Sequence, residues 1–182
     1  MFALKVDNEI ELQLFQHQDS SELYHLVDKN RDHFRRWLPW VDNMISSVQY
    51  YSIISAWLKQ YADNNGFNAG IHFRGKLVGA ISLHSIDWNN QQTTIGYYLG
   101  KGYEGNGIMT KTMQAVLHYI FLHLRLHRVE IRCGTLNKKS RAIPERLGFK
   151  QEGVIRDGEF LYDHYHDLVV YGMLSSEWLP GF

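Results

Sequence analysis

The sequence predicts one mixed α/β domain, and three observations predict it. The chain has 182 residues, which suits a single core of ordinary size. Its periodicities read strand, helices, three strands, helix, strand, helix, two strands. No internal repeat, low-complexity tract or linker divides residues 1–182. Composition agrees: 45% apolar and 14% aromatic residues, spread over the whole length, argue against disorder. The 19 basic and 19 acidic residues cancel, so no net field draws the chain to nucleic acid or a membrane. No stretch approaches the roughly 20 apolar residues of a membrane span. Residues 1–10 carry Lys5, Asp7 and Glu9 instead of a signal-peptide run. The one cysteine, Cys133, permits no internal disulfide. A soluble cytoplasmic protein is the expectation.

The elements follow in order. Ile10, Leu12 and Leu14 alternate with polar residues, as in a half-buried strand. Asp19-Ser20-Ser21 offers caps for a helix to about Asn30. A short helical segment reaches Trp37, where Pro39 interrupts it. Trp37-Leu38-Pro39-Trp40 reads either as a plug between helices or as the wall of a substrate pocket. Ser46 or Ser47 starts a helix to about Tyr61, and Asn64-Asn65-Gly66 ends it. Strands are expected at Phe67 to Phe73, Leu77 to Leu83 and Gln92 to Leu99, with turns at Arg74-Gly75-Lys76 and Trp88-Asn89-Asn90. A helix from Ile108 to Leu124 shows a strong 3.6-residue apolar period. Val129, Ile131 and Cys133 alternate as a strand, which makes Cys133 a core residue. A short helix spans Ser140 to Leu147, and two final strands cover Phe149–Phe160 and His164–Leu174.

One junction carries chemistry. Between the strand ending at Leu99 and the helix opening at Ile108 lies Gly100-Lys101-Gly102-Tyr103-Glu104-Gly105-Asn106-Gly107. The first N–H groups of a helix have no internal partners, and its dipole adds positive character there. A diphosphate can occupy that end if no side chains intervene. Gly105 and Gly107 leave room, and Thr110 adds a hydroxyl. A P-loop is excluded, because Ile108-Met109 follows Gly107 where Lys-Ser/Thr is required. A dinucleotide fingerprint fails on spacing. By itself the cluster fits a phosphate site or an ordinary turn.

Ile95-Gly96-Tyr97-Tyr98-Leu99 with Tyr103-Glu104-Gly105-Asn106-Gly107-Ile108-Met109-Thr110 resembles the acetyl-CoA motif of GNAT acetyltransferases, Arg/Gln-x-x-Gly-x-Gly/Ala. Asn137-Lys138-Lys139-Ser140, closing on Leu147-Gly148-Phe149, resembles the downstream Asn-x-x-Ser motif. The tryptophans at Trp37–Trp40 and the tail from Glu152-Gly153 to Asp167 and Glu177-Trp178 are similar to the RimJ/RimL branch, which acetylates protein N-termini, typically of ribosomal proteins. The resemblance covers nearly the whole chain. It implies a mostly antiparallel twisted sheet with helices on both faces, splayed between Gln92–Leu99 and Val129–Cys133. Pantetheine would enter the splay and bond backbone at Tyr98 and Leu99. The diphosphate would rest on Gly105, Asn106, Gly107, Ile108, Met109 and Thr110, and Asn137 would reach the pantetheine. The chain departs from the pattern at Glu104, where Arg or Gln is usual, and at Met109, where Gly or Ala is usual. Pro144 stands where many GNAT enzymes carry a tyrosine acid.

The resemblance implies Glu159 as the carboxylate that relieves the acceptor amine of its proton, and Ser140 as the partner of the CoA sulfur. Each residue also has a plainer reading. Ser140 suits an N-cap, and Glu159 a solvated strand position. Glu130 aligns roughly with a base used by some relatives, although its neighbours suggest a solvent face. Asp163-His164-Tyr165-His166-Asp167 lacks the spacing of a metal site, and no metal is expected. His123 and His127 lack the glutamate of a zinc-protease motif and read as surface residues. The expected reaction is acetyl transfer from acetyl-CoA to a primary amine, foremost a protein N-terminus. A polyamine or drug acetyltransferase and a CoA-binding module without turnover are the alternatives, and the resemblance also allows a homodimer.

Overall fold

The structure, a computed structural model, describes residues 3–178. Its strands are β1 (Ala3–Lys5), β2 (Ile10–Leu14), β3 (Phe67–Phe73), β4 (Lys76–Asp87), β5 (Gln92–Leu99), β6 (Arg128–Gly134), β7 (Lys150–Leu161) and β8 (His164–Leu174). They form one sheet in the order β1-β2-β3-β4-β5-β6-β8-β7. Every neighbouring pair is antiparallel except β5 and β6. The helices are α1 (Ser20–Lys29), α2 (Arg31–Phe34), α3 (Ser47–Ala62), α4 (Ile108–His118) and α5 (Lys138–Arg146). This is the mixed α/β architecture expected from the sequence.

Alternation along the strands, shifted by one residue in β4 where Val78 stands unpaired between Leu77 and Gly79, supplies two cores, one on each face. Leu77 and Ala80 of β4 join Leu23 and Val27 of α1 and Tyr50 and Ile54 of α3. Val78 and Ile81 turn the other way, to Met113, Val116 and Leu117 of α4. Helix α3 opens on a reciprocal capping box between Ser46 and Gln49. After it, the chain reverses through Asn64 and Gly66, both at positive φ.

Several elements differ from expectation. Strand β4 runs on to Asp87, past Leu83, with a register shift between Leu83 and Ile86. The expected helix to Leu124 is α-helical only to His118. Residues Tyr119–His123 then take a wider turn, in which the Leu124 N–H reaches the Tyr119 carbonyl at 3.1 Å. Helix α5 begins at Lys138, not Ser140. Its cap is Asn137, whose Oδ1 accepts from the Ser140 N–H at 3.2 Å. The capping reading of Ser140 is therefore wrong, and Pro144 lies beyond the first turn. The outer strand β7 is exposed on both faces over most of its length, including Val154, Ile155 and Phe160. Its register slips between Gln151 and Gly153 and again between Ile155 and Glu159. Among the described residues no helix is long and apolar enough to cross a membrane.

One buried amide ties the helical layer to the glycine stretch. Asn30, which ends α1, donates from Nδ2 to the Leu26 carbonyl at 2.8 Å. Its Oδ1 accepts from the Lys101 N–H at 2.8 Å. Asn30→Leu would keep the branched shape and leave both backbone groups without this partner. Urea melts should show a loss of roughly 1–3 kcal/mol. A midpoint equal to the parent's would mean that Asn30 does not anchor the loop.

Candidate active site

The parallel seam between β5 and β6 is short. Gln92 pairs with Arg128, Thr93 with Val129 and Thr94 with Glu130, and there the pairing stops. Beyond it β5 stays on β4 as far as Leu99, opposite Gly79. Strand β6 stays on β8 as far as Gly134, opposite Leu168. The two arms therefore part, and their facing backbone edges have no strand between them. This cleft lies where the splay was expected. Tyr98 and Leu99 stand at the open end of the β5 arm, Cys133 and Gly134 at that of the β6 arm.

The glycine stretch leaves the β5 arm and enters α4. Gly107 takes a left-handed conformation, φ 73°, immediately before the helix, and Gly105 does the same at φ 79°. A Cβ on either would meet no heavy atom within 4 Å, so open space surrounds both. The first helical bond runs from the Lys111 N–H to the Gly107 carbonyl at 3.0 Å. The N–H groups of Ile108, Met109 and Thr110 precede it and lack i−4 partners in the helix. The Ile108 and Met109 side chains are buried in the core, so Met109 does not crowd the loop. Arg146 donates from Nη1 to Thr110 Oγ1 at 2.9 Å, bringing a guanidinium to this end of α4. Asn106 is exposed and folds its amide back toward the carbonyls of Tyr103 and Glu104.

Glu104 has a side-chain partner on each side of the cleft. One oxygen lies 2.7 Å from Lys139 Nζ of α5, and the other 3.5 Å from His33 Nε2 of α2. His33 Nε2 also lies 3.3 Å from the Leu99 carbonyl. The Lys139 ammonium thereby partly offsets the carboxylate at the edge of the glycine stretch.

At the inner end, Ser140 Oγ lies 3.3 Å from Cys133 Sγ and 3.4 Å from Tyr97 Oη. Burial pushes the Cys133 thiol up, which keeps it protonated and weakly nucleophilic. Asn137 joins this corner through its cap on the Ser140 N–H.

On the other face, Glu159 of β7 lies opposite His166 of β8, with Oε2 and Nε2 2.8 Å apart. The His166 side chain is only 14% exposed. Its ring packs on Gly134, where a Cβ would come within 2.9 Å of it and 3.5 Å of Trp37. Trp40 packs on Tyr98 with ring centroids 5.7 Å apart. Trp37 therefore lies by the β6 lip of the cleft and Trp40 by the β5 lip, where Trp40 also packs against the helical core. The β7–β8 turn closes over them: Tyr162 Oη donates to the Leu38 carbonyl at 2.5 Å, and Arg35 stacks on the Tyr162 ring. Glu130 sits at the closed seam, between Arg128 at 3.0 Å and Arg132 at 2.7 Å. It is on this side of the sheet but away from the opening. His164 turns to Asp163 at 2.6 Å while His166 turns to Glu159, and the two rings meet edge-on with centroids 6.4 Å apart.

The sequence reading missed Tyr97, His166, Lys139 and Arg146. Tyr97 stood inside the quoted Ile95–Leu99 motif, and Lys139 and Arg146 inside the downstream one. The spacing of His164 and His166 prompted only a metal reading.

Comparison with known proteins follows this geometry. The family description "Acetyltransferase (GNAT) domain" matches residues 9–150. YdaF of Bacillus subtilis (strain 168), which carries the name of a ribosomal N-acetyltransferase, is 41% identical over 179 residues, covering 98% of each chain. The ribosomal-protein-serine acetyltransferase of Escherichia coli (strain K12) is 28% identical over 172 residues, covering 94% of this chain and 96% of its own. The crystal structure of the microcin C7 self-immunity acetyltransferase MccE, in complex with acetyl-CoA and AMP, superposes with a TM-score of 0.88 at 29% identity. That likeness covers 93% of this chain and 94% of the other.

The loop can be probed with inorganic pyrophosphate alone. Glu104→Gln removes a carboxylate from the site's edge and frees Lys139. Affinity for pyrophosphate should rise several-fold, about 1 kcal/mol for a partly exposed charge. An unchanged or weaker affinity, read by titration calorimetry, would place the anion elsewhere.

Proposed function

The chain belongs to the GNAT acetyltransferase family, and we propose that it moves the acetyl group of acetyl-CoA to the N-terminal α-amine of a protein, by its relatives a ribosomal protein. The observation that carries this is the cleft: a three-pair seam that opens beside an uncapped helix N-terminus flanked by empty space. Acetyl-CoA is here a substrate. Its extended pantetheine amides suit the cleft-side edge of β5 at Tyr98 and Leu99, where His33 lies 3.3 Å from the Leu99 carbonyl. Its diphosphate suits the N–H groups from Gly105 through Thr110, including Asn106 and Met109, with Arg146 and Lys139 nearby. Asn137 lies beside that path through its place at the head of α5. The reaction site belongs in the cytoplasm, where ribosomal proteins are made.

Three tasks follow. The acceptor ammonium must lose a proton, the thioester carbonyl must accept the amine, and the CoA thiolate must leave. Glu159 and His166 stand together on the face lined by Trp37 and take the first task as a unit. Free amine attacks the carbonyl, the tetrahedral species collapses with cleavage of the C–S bond, and the second N–H proton passes from the new amide nitrogen to the departing thiolate. The departing sulfur takes a hydrogen bond from the Ser140 hydroxyl. The non-turnover reading rested on Glu104, Met109 and the missing tyrosine. It loses support, because Met109 is core and Glu104 is ion-paired. Acetylation of a peptide panel against polyamines separates a protein acceptor from a small one. Polyamine turnover with no peptide turnover would overturn the proposal.

Acetyl-CoA at 100 times its dissociation constant should stabilise the fold by about 2.7 kcal/mol. Gly107→Val should abolish that shift, and because a β-branched residue is strained at φ 73° it should also lower the melting temperature of the free protein. An equal shift in parent and variant would reduce the glycine stretch to a turn.

Glu159→Gln and His166→Gln should each lower kcat by roughly 10²–10⁴-fold at neutral pH. The double variant should be no slower than the slower single one, because groups acting as a unit are not additive. The deficit should shrink well above pH 8, where an α-amine of pKa about 8 is already free. Parent-like kcat in both single variants would remove this pair from the mechanism.

A further inference from the structure

Pro144 opens a gap inside α5. An amide at this position would donate to the carbonyl four residues back, which belongs to Ser140. Proline has no N–H, and its ring pushes that carbonyl aside. The gap is filled from another strand: the Tyr97 hydroxyl donates to the Ser140 carbonyl at 2.8 Å. Burial pushes the Tyr97 phenol well above its ordinary value, so it remains a donor. The bond also crosses the cleft, from the β5 arm to the helix that follows the β6 arm.

We propose that Tyr97 is a positioning residue for Ser140, its hydroxyl replacing the amide hydrogen that Pro144 lacks and fixing where Ser140 stands at the sulfur end of the cleft. The inference rests on the reading of Ser140 as the partner of the CoA sulfur. Tyr97 is not itself the acid, because its proton is held on a backbone carbonyl. Between the two hydroxyls, 3.4 Å apart, Ser140 is the donor and Tyr97 the acceptor. The Ser140 hydroxyl is thus held between a phenol oxygen and the Cys133 sulfur, ready to turn to a developing thiolate.

The test is a rescue. Ser140→Ala, Tyr97→Phe, Pro144→Ala and the double variant Tyr97→Phe/Pro144→Ala are compared for kcat, KM for acetyl-CoA and melting temperature. Tyr97→Phe should lower kcat about tenfold, an effect of the size of one lost hydrogen bond, with KM near the parent value. Pro144→Ala should act like the parent. The double variant should regain most of the rate, because the new amide at 144 can take the Ser140 carbonyl. A Tyr97→Phe variant at the parent rate overturns the proposal. So does a double variant that regains melting temperature but not kcat, since the bond is then structural only. A double variant that does not fold overturns it as well. Ser140→Ala at the parent rate is a separate failure, that of the sulfur-side reading itself.

Discussion

The structure turns on a seam of three residue pairs. Strands β5 and β6 are the one parallel neighbour pair in the sheet, and they stay together only from Gln92 to Thr94. A strand that leaves its neighbour gives up ladder bonds, and its amides must find other partners. Neither arm frays, because each keeps an antiparallel neighbour on its outer side, β4 for one and β8 for the other. The separation is thus sustained by the rest of the sheet, with a backbone edge on each side suited to an extended amide-bearing ligand. The two apolar layers reinforce the arms separately. Tyr98 of β5 packs with the α1–α3 layer, while Val129, Ile131 and Cys133 of β6 pack with the α4 layer.

Much of this was legible from local pattern. The bounds of β3 and β5, the turn at Gly66 and the start of α4 at Ile108 are written in alternation, glycine placement and period. The glycine stretch was visible for the same reason: a left-handed residue before a helix needs glycine, and the need is local. The downstream corner was less legible. Asn137 and Ser140 are both good caps, and they stand three positions apart, so either could begin α5. Only the position of Asn137 against the Gly134 carbonyl, which its N–H bonds at 2.9 Å, decides.

The pairing of Glu159 with His166 is set locally by the hairpin: Leu161 stands opposite His164 and Phe160 opposite Tyr165, so the two-residue turn at Tyr162-Asp163 brings Glu159 opposite His166. The register slip lies farther from the turn, between Ile155 and Glu159, and leaves this pair in place. Tyr97 and Ser140 were hidden more deeply, being 43 positions apart and joined through a carbonyl that only a proline exposes. The sequence motifs pointed to the cleft, while the partnership of Tyr97 with Ser140 came from tertiary packing.

The outer position of β7 has a consequence for colloidal behaviour. An edge strand with exposed Val154, Ile155 and Phe160 offers a free backbone row to any extended chain. This row is broken in the ways that discourage strand addition. Two register slips bend it, and Gly153 and Gly158 interrupt its apolar residues. Lys150, Glu152, Arg156 and Asp157 place both signs of charge along it. Glu159 thus sits on a strand whose irregularity works against aggregation. Substitutions that smooth the strand for better pairing would favour oligomeric precipitates as readily as a firmer site.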